Sequence, residues 1–293
     1  MDYTISSGSL TVKTHSFGGE LASVRDNGGT EYLWQGNPEY WKGQAPVLFP
    51  IVGALRGKKA VTKDGKLCCM ERHGVARKKE FALEKLEKNS VTFSLFSDAE
   101  TRERYPFDFR LETEYSLSGR TITVTHTVTN PGKAALPFQI GGHPAFNCPL
   151  APGEAFEDYD VVFEQAETAE CPLMDENGLP QMDRRVPILK GGSVLPVKHE
   201  LFSRDALIFD SLRSRSVALR SRKTGQGIRV DFPGLNYLLV WSSANGGPFV
   251  ALEPWSGLGT CSDESDVFEA KRGMCLLAPG TKKKIFYRIS VIG

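Results

Sequence analysis

Three short segments of this 293-residue chain set ionisable side chains beside glycine, proline and aromatic residues in otherwise apolar surroundings. They are Glu71-Arg72-His73-Gly74-Val75-Ala76-Arg77, Gly141-Gly142-His143-Pro144-Ala145-Phe146-Asn147 and Ala251-Leu252-Glu253-Pro254-Trp255-Ser256-Gly257. A fourth, Pro46 to Gly57, delivers Arg56 at the end of an apolar run. His143 follows two glycines, which let backbone approach a ligand closely, and precedes Pro144, which cannot continue a central strand. An imidazole held there exchanges a proton near neutral pH. The alternative is a histidine satisfied within a loop network. Glu253 ends the apolar run Phe249-Val250-Ala251-Leu252. Burial disfavours the charged carboxylate, which raises its pKa and suits it to general-base work. Trp255 beside it offers a face on which the apolar side of a sugar ring stacks. Here the alternative is a carboxylate paired with an arginine to close a loop. His73 with Arg77 suits hydrogen bonding to hydroxyls or to a phosphate; otherwise it belongs to a solvated basic edge that Lys78 and Lys79 continue.

Other chemistries find less support. Two histidines and a glutamate make a plausible zinc set, but these are far apart in sequence and no HExxH-like local pair occurs, so no metal is expected. Gly18-Gly19 and Gly28-Gly29 lack the spacing and following helix of a phosphate-binding loop. No nucleophile elbow supports a serine triad. His126 lies on the apolar face of a strand and reads as a core residue, while His15 and His199 have no supporting context.

The elements that must position these groups are strands. Ser90 to Phe96 alternates, with Val91, Phe93 and Leu95 on one side. Arg110 to Leu117 leads through a Ser118-Gly119 turn into Thr121 to Thr129, where Ile122, Val124, His126 and Val128 share a face, and Asn130-Pro131-Gly132 ends the run. Two β-rich runs joined by a short glycine-containing turn predict an antiparallel hairpin. Gly227 to Phe232, Tyr237 to Trp241, Phe249 to Leu252 and Lys284 to Ile292 repeat the pattern. Only Phe81–Lys88 and Asp263–Phe268 hint at helix. Many short strands with regular turns predict an all-β sandwich or barrel. Pro149–Gly192 is richer in Pro, Glu, Asp and Gly, and reads as an excursion of loops and short strands. No repeat or linker interrupts the chain, so one domain over residues 1–293 is expected.

Composition narrows the class. Lys plus Arg is 36 and Asp plus Glu is 35, against the basic excess of a nucleic-acid binder. Hydrophobic residues are 40% of the chain, enough for a sizeable core. No apolar stretch reaches the ~18 residues of a membrane helix, and the start, Met1-Asp2-Tyr3-Thr4, does not read as a secretory leader. The six cysteines form no CxxC pair. Six reduced thiols in a cytoplasmic protein is the simple expectation.

Taken together and in order, these segments resemble the aldose 1-epimerase (galactose mutarotase-like) family, and look closest to its LacX-like branch. The matching pieces are Asn37-Pro38-Glu39-Tyr40-Trp41 with Ala45 to Pro50, Arg56, Arg72-His73-Gly74 with Ala76-Arg77, Gly142 to Asn147, and Leu252 to Trp255. They span residues 30 to 260, nearly the whole chain. The resemblance implies a galactose mutarotase-like β-supersandwich of large antiparallel sheets with a shallow cleft, and needs no cofactor. It implies Glu253 as general base and His143 as general acid, with His73 and Arg56 binding the sugar. It also implies an aspartate on the sugar hydroxyls, for which Asp210 is chosen over Asp231. The substrate would be a small sugar whose α and β anomers interconvert, and the protein a monomer or homodimer. His143 follows glycine where the galactose enzymes have asparagine, and Pro254-Trp255 replaces a polar pair, so the walls that select the sugar differ. Two other functions fit the same residues. One is a hexose-6-phosphate 1-epimerase, with Arg56, Arg72 and Arg77 on the phosphate. The other is a carbohydrate-binding or regulatory protein without turnover. A lyase or glycosidase would need a second acid or a tyrosine, and nothing ties Glu39 or Asp64 to a cleft.

Overall fold

The computed structural model describes residues 1–293. Strands hold 49% of them and helices 8%, so the all-β expectation holds. Two antiparallel sheets dominate. The larger has nine strands, in the order Pro180–Pro196, Tyr159–Met174, Ser216–Ser221, Gly227–Asp231, Lys282–Ile292, Thr121–Thr129, Arg110–Ser118, Ser90–Phe96 and Ala82–Leu86. The smaller has six. Leu207–Phe209, Tyr237–Trp241, Phe249–Trp255, Gly141–Gly142 and Val47–Leu48 lie side by side, and Ala145–Asn147 also pairs with Phe249–Trp255. A three-stranded meander, Asp2–Ser6, Leu10–His15 and Glu20–Asp26, precedes both.

Alternation explains the packing. In Thr121–Thr129 the side chains of Ile122, Val124, His126 and Val128 are all buried. They sit opposite Ile289, Tyr287, Ile285 and Lys283 of the neighbouring strand. His126 is a core residue, its Nδ1 3.1 Å from Thr113 Oγ1. The hairpin closes where Ser118 pairs with Thr121 around Gly119, whose φ of +57° suits a residue without Cβ. One apolar cluster of 62 buried residues draws on the large sheet, the small sheet and the meander.

The structure departs from expectation in four places. Phe81–Lys88 contains an edge strand, Ala82–Leu86, and no helix. Asp263–Phe268 is loop up to Val267, and Phe268 opens a single 3-10 turn, Phe268–Ala270. The α-helix is instead Ala99–Arg104, opened by a capping box between Asp98 and Thr101. Pro149–Gly192 holds most of the two longest strands, of 16 and 17 residues. Their pairing shifts register four times, and such bulges hide the two-residue period. Pro187 is tolerated because its strand lies at the sheet edge.

Arg56 anchors a loop. Its guanidinium donates to the carbonyls of Cys261, Ser262 and Glu264 and pairs with Asp266 Oδ1 at 2.7 Å. The same loop passes Gly53, whose added Cβ would lie 3.1 Å from Gly259 N. Arg56→Ala would leave several carbonyls without their cation. We expect a loss of ~2 kcal/mol, read as a melting temperature ~4–8 °C lower. An unchanged melting temperature would show that the loop stands without it.

Candidate active site

The site is built on the small sheet. Tyr237 pairs with Trp255, Leu239 with Glu253 and Trp241 with Ala251. Directly opposed residues share a face and neighbours alternate. Leu238, Val240, Val250 and Leu252 therefore enter the main core, while Leu239, Trp241, Glu253 and Trp255 point to the other side. There they line a pocket of about 170 Å³ with Trp41, Arg72, His73, Arg77, His143, Asp205 and Ala206. Glu253 lies inside its strand, which continues to Trp255, and not at the strand's end as expected. Pro254 causes no fault. The N–H groups of Leu252 and Ser256 donate to Pro144 O and Ile140 O, so the missing N–H of Pro254 would face the break that His143 and Pro144 make in the adjoining strand.

That break brings in His143. Gly141–Gly142 ends one short strand and Ala145–Asn147 begins the next. Both glycines are needed for approach. A Cβ on Gly141 would lie 2.7 Å from the Trp255 ring, and one on Gly142 would lie 2.3 Å from Tyr287 Oη. His143 Nε2 comes within 3.3 Å of Glu253 Oε2, with the two side chains 8% and 2% exposed. Trp41 stacks on the imidazole, ring centroids 4.7 Å apart and planes inclined by 18°. Trp241 and His73 meet it edge-on, each at 5.5 Å. His143 Nδ1, Glu253 Oε2 and Trp255 Nε1 are all buried without a hydrogen bond. Buried polar atoms are rarely left so, and here three belong to residues that line one pocket.

His73 is presented by strained backbone. It has φ +71° and is followed by Gly74 at +77°; a non-glycine residue seldom adopts the left-handed region. A Cβ on Gly74 would strike Phe49 O at 2.3 Å. His73 N–H donates to Gly53 O, and Gly53 N–H donates to His73 Nδ1. With Nδ1 accepting, the ring proton resides on Nε2, a neutral donor on the pocket side. Burial first, then His143, Arg77 and Arg72, holds its pKa well below 6.5.

The catalytic candidates are shifted in opposite directions. Burial, reinforced by Asp205, raises Glu253 well above 4.5, against the opposing pull of Arg72 and Arg77. Burial, with Arg77 and Arg72, lowers His143 to about 3. Arg72 and Asp205 stand at the rim, 3.6 Å apart and 45% and 30% exposed. Arg77 is half-buried and feels Glu20 and Glu253 only at longer range.

The structure thus gathers His73, Arg77, His143, Glu253 and Trp255 in one pocket and excludes two other expected residues. Arg56 is turned into the Cys261–Asp266 loop. Asp210 is locked to Arg185 at 2.6 and 3.0 Å. The pocket aspartate is Asp205, held at φ +85° by its loop, a placement with no local signal in the sequence. Trp241 could have been found from strand register, two residues beyond Leu239. Trp41 lay within a matched segment but carried no assigned role.

The aldose 1-epimerase family model matches residues 1–266. Protein LacX of Lactococcus lactis subsp. lactis, in its plasmid form, is 44% identical over 289 residues, covering 97% of each chain. A galactose mutarotase related enzyme from Lactobacillus acidophilus superposes with a TM-score of 0.94 at 32% identity, covering 99% of this chain and 97% of that one. A galactose mutarotase-like protein from Lactobacillus casei gives a TM-score of 0.91 at 28% identity, covering 99% and 100%. With its sheets, its pocket and these relatives in agreement, the chain belongs to the aldose 1-epimerase family.

Proposed function

We propose that this protein is an aldose 1-epimerase that interconverts the α and β anomers of a small sugar, with His143 and Glu253 as its acid/base couple. The observation that carries the reading is the buried His143–Glu253 contact of 3.3 Å at the floor of an open pocket. Anomers exchange when the ring opens, the C1–C2 bond turns and the ring closes. Opening removes a proton from the C1 hydroxyl and adds one to the ring oxygen. Glu253 as carboxylate takes the first; His143 as imidazolium gives the second. Closure reverses the roles. The couple holds one proton before and after opening, and its net charge never changes. His73 Nε2–H, Asp205, Arg72 and Arg77 surround the space above as hydrogen-bonding partners for hydroxyls.

A second reading has its own support. Arg77 lines the pocket with no ion pair within 4 Å, and Arg72 is held only by the long contact to Asp205. Two arginines so placed suit a phosphorylated aldose.

The test is anomer exchange followed by NMR across free and phosphorylated aldoses. We expect acceleration for at least one sugar, reduced ~100-fold or more by Glu253→Gln and by His143→Asn. A preference for phosphates, with KM raised by Arg77→Met, would select the second reading. Binding without acceleration across the panel would leave a carbohydrate-binding protein.

The same burial predicts a stability signature. Glu253 has a raised pKa in the folded chain, so above pH 4.5 the folded state holds a proton that the unfolded state has lost. Stability then falls as pH rises toward the folded-state pKa. His143 acts in the opposite window, costing stability as pH falls from 6.5 toward 3. Glu253→Gln should therefore raise the melting temperature by a few degrees at pH 7.5, and the gain should vanish by pH 4. A gain that is equal at both pH values would mean that Glu253 is already ionised in the empty site.

A further inference from the structure

The one-proton couple has two forms. In one, glutamic acid faces neutral imidazole; in the other, carboxylate faces imidazolium. Burial favours the neutral form, because it strips water from both charges. Ring opening, as proposed above, starts from the ion-paired form. Something around the buried couple must support that form, and two side chains are placed to do so.

Trp255 lies two residues beyond Glu253 on the same strand face. Its ring is 4% exposed and packed among Leu48, Val52, Ile208, Leu239 and Leu258. The face is thus taken by packing and is not free to stack on a sugar. What remains is the indole N–H, buried and without a hydrogen bond. Trp255 and Glu253 share a strand face and line the same pocket, and the indole N–H favours the ionised carboxyl. Glu253 Oε2 likewise lacks a partner in the empty site.

Trp41 covers one face of His143 at 4.7 Å. It is fixed from behind. Trp34 Nε1–H donates to Trp41 O at 2.7 Å, and Trp41 N–H donates to Asn37 O at 2.9 Å. Gly43 leaves room for the ring, since a Cβ there would lie 2.4 Å from it. Asn245 Nδ2–H ties the loop down through Glu39 O at 2.7 Å. An indole face within 6 Å of a cation attracts it, so this contact strengthens when His143 gains a proton.

We propose that Trp41 and Trp255 are positioning residues that stabilise the ion-paired form of the His143–Glu253 couple, the Trp255 N–H on the carboxylate and the Trp41 face on the imidazolium. The inference rests on the mutarotase reading for its kinetic consequence only. The other charged or titratable groups facing the couple are His73, Arg72, Arg77 and Asp205. Arg72 and Arg77 support the carboxylate but oppose the imidazolium, and Asp205 opposes the carboxylate. The two tryptophans act without adding a net charge.

Trp255→Phe removes the N–H and keeps a ring; Trp41→Leu removes the aromatic face and keeps an apolar cover. For Trp255→Phe we expect kcat to fall about tenfold with KM within about twofold, and the alkaline limb of the pH–rate profile to move up by about one unit. For Trp41→Leu we expect kcat to fall about three- to tenfold with that limb unmoved, because ionisation there leaves the imidazole neutral. A raised KM with unchanged kcat and unmoved limbs would make both residues plain pocket walls and overturn the proposal. A readout without turnover separates this from failure of the mutarotase reading. The Glu253 carboxyl, followed by ¹³C NMR in the empty protein, should titrate about one unit higher in Trp255→Phe than in the parent. An unmoved midpoint overturns the role of Trp255, whatever the sugars do.

Discussion

A carboxyl and an imidazole, 3.3 Å apart and almost without solvent, form the contact on which the rest of the molecule turns. Each would be costly to bury as a lone charge, since desolvation of an ion amounts to several kcal/mol even after relaxation. A couple that holds one proton avoids that cost in its neutral form, glutamic acid beside neutral imidazole, which burial favours. The opposite pKa shifts of Glu253 and His143 have one cause, burial, acting on an acid and on a base. Pushing two such groups apart is how one site provides an acid and a base together.

Holding that contact constrains the backbone around it. The small sheet must present Glu253 on one face while the alternate residues, Val250 and Leu252, close the main core on the other. Its neighbour must stop and restart so that His143 can lean in, which requires Gly141 and Gly142 to press against Trp255 and Tyr287. His73 must sit in the left-handed region so that Nδ1 turns to Gly53 and Nε2 turns to the pocket. Strain of this kind persists only where the surroundings over-determine it. Here they do, through backbone bonds to Phe49 and Gly53 on one side and the rings of His143 and Trp255 on the other.

Some of this was legible in the sequence and some was not. The alternating strands were, because a half-buried strand writes its period into its side chains; Ser90–Phe96, Thr121–Thr129 and Tyr237–Trp241 run as expected. The long hairpin from Tyr159 to Pro196 was not, because its bulges break that period. In the pocket, His143, Glu253, His73, Arg77 and Trp255 could be singled out because each stood beside glycine, proline or an apolar run. Asp205 could not, since a loop aspartate becomes a site residue only through the position of its loop. Arg56 misled for the converse reason. An arginine at the end of an apolar run is delivered to the edge of the core, but the sequence does not say which edge. Its guanidinium found a ring of carbonyls at Cys261, Ser262 and Glu264, and Asp210 found Arg185.

The pocket separates chemistry from recognition by depth. At the floor, His143 and Glu253 are enclosed by Trp41, Trp241, Trp255 and His73, where a low dielectric strengthens every dipole aimed at a developing charge. At the rim, Arg72 and Asp205 are partly solvated and only loosely paired, so they can exchange one another for a ligand at little cost. Such a division lets the rim change without disturbing the floor. It also fits the placement of Glu253 on a paired strand and of His143 in the short break beside it, between two strands that hold it from both ends, while Arg72, Arg77 and Asp205 stand on loops and turns. The floor needs fixed distances, which register provides; the rim needs adjustable hydrogen bonds, which loops provide. A change of substrate within this architecture would be written in loop residues, and a loss of turnover in the register of Phe249–Trp255.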